Sequence, residues 1–135
     1  MITYRILPKD KLVIVVHHDK SSTKQVKEFR KTLSSDPEYS PEYDVINDSS
    51  KLMKQYTFDE VCSIAEDKTL HPRIAIIAPS DLSFGVGRTW GMLVGNKEIE
   101  VNVFREAGAA LSWLGKNYKL IEIIEEMKNQ VEKAW

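Results

Sequence analysis

Two rhythms alternate along the chain: apolar side chains at every second position, the signature of a strand, and apolar side chains three and four residues apart, the signature of a helix. Ile2 to Leu7 alternates, and Leu12 to Val16 is an unbroken aliphatic run, with Pro8-Lys9-Asp10-Lys11 supplying turn chemistry between them. This predicts an antiparallel opening pair, the first strand half exposed and the second buried on both faces. Ser22 with Gln25 forms a capping box ahead of Val26, Phe29, Arg30 and Leu33, one face of a helix ending near Ser35. Asp36-Pro37 stops that helix, and the turn through Pro41 leads to a short strand at Tyr43 to Asn47. Thr57 with Glu60 is a second capping box, opening a helix with Phe58, Val61, Cys62 and Ala65 on its apolar face. After His71-Pro72, Arg73 to Ala78 reads as a buried strand running into a helix capped by Ser80 or Asp81 and closed by Gly95-Asn96. Ile99 to Phe104 alternates into a last strand, and Glu106 to Leu114 forms a short helix broken at Gly115. Strands alternating with helices imply parallel pairing through crossovers. The expected class is therefore α/β: a mixed five-stranded sheet, the first strand antiparallel and the rest mainly parallel, covered by helices.

Two helices carry unusual faces. In the helix from Asp81 to Gly95, Gly87, Gly91 and Gly95 recur every four residues, each costing about 1 kcal/mol against alanine in a helix interior. Something is expected to lie almost flush against that stripe: the sheet, a ligand, or a second copy of the chain. The contact candidates there are Phe84, Gly87, Arg88, Trp90, Gly91 and Gly95, with Arg88 suited to an anion or a partner's carboxylate. A small apolar or amphipathic ligand, such as a lipid, is expected between this helix and the sheet. Near the C-terminus Leu120, Ile124, Met127, Val131 and Ala134 repeat at intervals of four and three, with Glu122, Glu125, Lys128, Glu132 and Lys133 between them. This amphipathic helix, in a segment spanning 116–135, is expected to pack either on the domain of residues 1–115 or on a second copy, which makes Leu120, Ile124, Met127 and Val131 the candidates for self-association in a homodimer.

Composition narrows the function. Basic and acidic side chains number 19 and 20 in 135 residues, so bulk charge gives no reason to expect a nucleic-acid partner or an anionic membrane. The N-terminus lacks the apolar core of a signal peptide and Cys62, the single cysteine, has no internal partner, so a cytoplasmic location and a buried structural thiol are expected. The longest apolar runs are too short for a transmembrane segment. Gly85, Gly87 and Gly91 spell GxGxxxG inside a helix, not the tight strand-to-helix turn that cradles a pyrophosphate. His17 and His18, adjacent on a strand, point to opposite faces and cannot easily converge on a metal. The strands' carboxyl ends, His17 to Asp19, Asn47 to Ser50, Pro79 to Asp81 and Phe104 to Glu106, offer polar groups but no acid, base and nucleophile set. No catalysis, metal or cofactor is expected.

DPEYSPEYDVIND at 36–48, RIAIIAPSDLSFGVGRTWGML at 73–93 and IEVNVFREAGAALSWL at 99–114, in this order, resemble the SpoIIAA-like family of small bacterial proteins over roughly residues 1–115. That family is related to STAS domains, and its fold has been compared with the lipid-binding CRAL-TRIO domain. The resemblance implies a βα superhelix and a non-catalytic role through protein contacts, many members having no known function. It also implies a place for a phosphorylatable serine opening the helix after the third strand, where this chain has Thr57. The Asp48-Ser49-Ser50 triplet imitates the motif, but it falls early and is followed by Lys51 where a glycine belongs. Thr57 and Ser49 are the candidate phosphosites.

Overall fold

The computed structural model describes residues 1–66, 71–95 and 98–134, the side chains of 131–134 excepted. Strand β1 (Ile2–Leu7) turns through a single 3-10 turn at Pro8–Asp10 into β2 (Leu12–His17), with Lys11 in the left-handed region at φ 50°. Then follow α1 (Thr23–Ser34), β3 (Asp44–Asp48), α2 (Phe58–Ala65), β4 (Arg73–Ile77), α3 (Asp81–Val94), β5 (Glu100–Phe104), α4 (Ala107–Leu114) and α5 (Ile121–Ala134). The five strands lie in the order β1-β2-β3-β4-β5, β1 antiparallel to β2 and the others parallel. Sequential order means that the sheet has no reversal of strand order, and hence no switch-point crevice of the kind that receives ligands in doubly wound sheets. Any site must arise between the layers.

Alternation along each strand divides the core in two. Leu12, Ile14, Val16, Ile46, Ala75 and Ile77 face α4 and α5, while Val13, Val15, Val45, Ile74 and Ile76 face the layer of α1, α2 and α3. On the first side α5 lies over β2, and Leu120, Ile124 and Met127 sit in the core at 7%, 0% and 1% exposure. Their stripe is thus buried against the chain's own sheet, and the self-association expected of these three residues is redirected: they have no surface left for a second copy. Val131 lies outside the described side chains. Buried Asp44 ties α4 to this layer, accepting from Arg73 Nη2 at 2.8 Å and Nε at 3.3 Å, with Lys116 Nζ at 3.4 Å. Arg73 also donates to the Leu114 carbonyl at the helix end, where Gly115 adopts φ 66°.

Both capping boxes form, Ser22 with Gln25 and Thr57 with Glu60, and Ser80 caps α3. On α2 the buried pair is Val61 and Ile64, while Phe58 is 65% exposed and Cys62 half-buried, so the expected face is rotated away from Phe58 and the thiol is not fully enclosed. Among the described residues, no helix is long and apolar enough to cross a membrane.

Candidate functional site

The glycine stripe explains why α3 sits so low on the sheet. A Cβ at Gly87 would stand 3.3 Å from Val103 Cγ1 and 3.4 Å from Ile76 Cγ2, and one at Gly91 only 3.0 Å from Val101 Cγ1. The flush neighbour is therefore β4 and β5 of the same chain, which corrects the expectation of a ligand or partner at Gly91. Gly95 has extended rather than left-handed backbone (φ −64°), and a Cβ there would lie 2.8 Å from the Gly91 carbonyl oxygen. Its neighbour Asn96, expected to share the helix closure, lies outside the described residues.

At the other edge of the layer α1 leans on β1, Phe29 meeting the Tyr4 ring at 5.8 Å, while the short α2 makes its main contacts with α1 and α3. Between α1 and α3, over the middle of the sheet, a cavity of about 620 Å³ remains. Val15, Val45, Ile74 and Ile76 form its floor, Val26, Phe29 and Leu33 one wall, Val61 and Ile64 its roof, and Val86, Gly87 and Trp90 the far wall. It runs from Tyr39 and His71 at the strands' amino ends to His17 and Ser49 at their carboxyl ends. Ligand cavities commonly measure about 300–1,000 Å³ with mostly apolar walls and a few placed polar groups, and this one falls in that range.

The polar groups are the informative part. His17 Nδ1, Asn47 Oδ1 and Trp90 Nε1 are buried and have no hydrogen-bond partner among the described residues, and all three residues line this cavity. Buried polar atoms are paired in well over nine cases in ten, so three orphans on one cavity mark the place where a partner is missing. Burial pulls the His17 imidazole from its ordinary 6.5 down to about 4; the Asn47 amide beside it opposes this, and the charges of the N-terminus, Arg30 and His18 add to it. The Asn47 amide and the His17 ring are neighbours without being well bonded. At the opposite end His71 Nδ1 donates to the Tyr43 carbonyl at 2.8 Å, which leaves Nε2 to accept from the Tyr39 hydroxyl at 3.0 Å. Burial lowers the His71 pKa, against the Tyr43 bond and the Asp44 charge.

Of the six residues singled out from the sequence on α3, the cavity brings together Gly87 and Trp90. Phe84 packs toward the sheet beneath the Arg105 guanidinium, 4.3 Å from its ring centre, Arg88 is exposed, and Gly91 and Gly95 border an open groove beside β5. Thr57 Oγ1 accepts from Glu60 N as the α2 cap, and Ser49 Oγ donates to the Ile77 carbonyl at 2.8 Å. His18 turns to the opposite face and meets Thr3 Oγ1 at 2.9 Å, so the adjacent imidazoles diverge. What sequence reading missed is the convergence of His17 and Asn47 with Trp90 and the part of α1 in the site. The available signal was register: Val15 pairs with Asn47, which puts polar His17 and Asn47 on the inward face of two neighbouring, otherwise aliphatic strands.

No protein-family model matches the sequence, and no curated protein matches it. Among solved structures, the chain is similar to the crystal structure of an uncharacterized protein from the DUF3478 family of Shewanella loihica PV-4, described as having a SpoIIAA-like fold, with a TM-score of 0.58 and 18% identity over 84% of this chain and 92% of that one. With five strands in sequential order, β1 antiparallel and the rest parallel, and helices on both faces, the chain has a SpoIIAA-like fold.

Proposed function

We propose that this protein is a non-catalytic binder of a small apolar molecule with a polar end, held in the cavity beneath α1, α2 and α3. The observation that carries the reading is the set of three unpartnered polar atoms, His17 Nδ1, Asn47 Oδ1 and Trp90 Nε1, on one largely apolar cavity of about 620 Å³. The apolar floor supplies affinity through burial, and the polar trio supplies orientation, since a ligand lacking matching groups leaves those atoms unsatisfied. The candidate hydroxyls Ser49 and Thr57 are engaged with main-chain groups, which supports binding rather than chemistry.

The test is native mass spectrometry of protein purified gently from cells. A bound small molecule is expected on the wild-type protein and absent from Asn47→Leu, which fills the space and removes one orphan. Apo protein that also takes up no added amphiphile would defeat the reading. A second reading, contact with another protein through the outer side of α3, is favoured by Leu82 and Met92, 67% and 82% exposed there.

A further inference from the structure

The charges around the cavity do not mirror the composition of the chain. Acidic and basic side chains are almost equal in number overall, 20 against 19. Yet α1 alone brings Lys27, Arg30 and Lys31 to the cavity, and the described residues that line it include no Asp or Glu. Elsewhere cations stand beside acids: Lys20 with Glu60 at 2.6 Å, Arg105 with Asp81 at 2.9 Å, Lys128 with Glu125 at 3.2 Å. Among the described residues Lys27 and Lys31 have no such pair. The three cations occupy positions i, i+3 and i+4 of one helix, so they present a single contiguous patch. Arg30 is held in place by donating from Nη1 to the Ile64 carbonyl at 2.7 Å, within electrostatic reach of the His17 ring. A guanidinium retains several N–H donors beyond one such bond. Trp90 Nε1 adds a further donor across the cavity.

Resting on the cavity reading above, we propose that the ligand is an acid: an apolar body lying over Val15, Val45 and Ile76, ending in a carboxylate or phosphate that α1 holds through Arg30, with Lys27 and Lys31 setting the local field. Trp90 Nε1 suits the same oxyanion. The Asn47 side chain, whose amide orientation follows from its partners, can turn its NH2 toward it. A cationic head would meet like charge, so the site discriminates by repulsion as well as attraction.

Four probes sharing one alkyl chain separate the ideas by calorimetric titration: dodecanoate, dodecyl phosphate, dodecanol and dodecyltrimethylammonium. At least one of the two acids is expected to bind about tenfold more tightly than dodecanol, the scale of a partly buried charge-assisted contact, and the ammonium more weakly than the alcohol. The preference is expected to fall below about threefold in Arg30→Gln and to shrink measurably in the double variant Lys27→Gln, Lys31→Gln, whose exposed positions tolerate the change, while dodecanol affinity stays the same. Should dodecanol or the ammonium bind the wild type as tightly as both acids, or the preference survive unchanged in both variants, the acid assignment falls and the cavity reading stands. Failure of all four probes to bind would overturn both.

Discussion

Val15 and Val16 are neighbours on β2, nearly identical in burial at 3% and 0%, and each belongs to a different kind of interior. Val16 lies among Leu12, Ile14 and Ile77 under α4 and α5, where Ala107 and Ala110 let α4 approach and Ile124 and Met127 close the space. Val15 lies on the floor of a cavity of about 620 Å³ whose roof is carried by α1, α2 and α3. The same strands serve both sides, so the difference comes from the covering layer. Glycines draw α3 down onto β4 and β5, the Tyr4–Phe29 contact holds α1 over β1, and eight-residue α2 rests on those two helices over the gap between them. A filled interior stabilises; a hollow one with unpaired polar atoms costs stability, and the lesson is that such a cost points to function.

The largest expected contrast is in pH. Free in the unfolded chain, His17 titrates near 6.5, whereas in the fold it titrates near 4. Below pH 6.5 the unfolded chain therefore takes up a proton that the folded chain refuses, and stability present above that pH is lost as pH falls toward 4, by up to about 3 kcal/mol. Burial lowers His18 and His71 too, and they add to the wild-type loss. Urea unfolding at pH 7 and 4.5 is expected to show a smaller loss in His17→Leu than in the wild type, and an unchanged loss in Ile14→Val on the filled side. Equal losses in all three proteins would remove His17 from the account.

A smaller contrast comes from the two valines. Truncating Val16 to alanine opens a void in a packed core and is expected to cost about 2–3 kcal/mol, whereas Val15→Ala enlarges a space already empty and is expected to cost about 1 kcal/mol. Chemical denaturation decides it, and equal costs would mean that the two interiors are packed alike.

How much of this was legible in the sequence depends on what each pattern encodes. The order and type of the elements were readable because alternation at β1, the aliphatic run at β2 and the capping boxes at Ser22 and Thr57 are local signals, and boundaries moved by a residue or so, as at β3, which begins at Asp44 rather than Tyr43. The stripe Leu120, Ile124, Met127 announced a buried face but carried no information on what buries it; β2 does, and only the three-dimensional arrangement decides that. The glycines announced a close approach, and again not by what. The cavity was least legible, because empty volume is fixed by how three helices sit relative to one another and no residue spells it. Its traces were His17 and Asn47 at inward positions, and the lysines of α1 read as a solvated face.

The most direct test of the hollow side is the stability of ligand-free Asn47→Leu by urea unfolding at pH 7. The account predicts a protein about 1 kcal/mol more stable than the wild type, because leucine fills empty space and removes a buried acceptor that has no partner. A variant less stable than the wild type would contradict it, showing that the Asn47 amide is satisfied and that the space beneath α1, α2 and α3 is not open to a ligand.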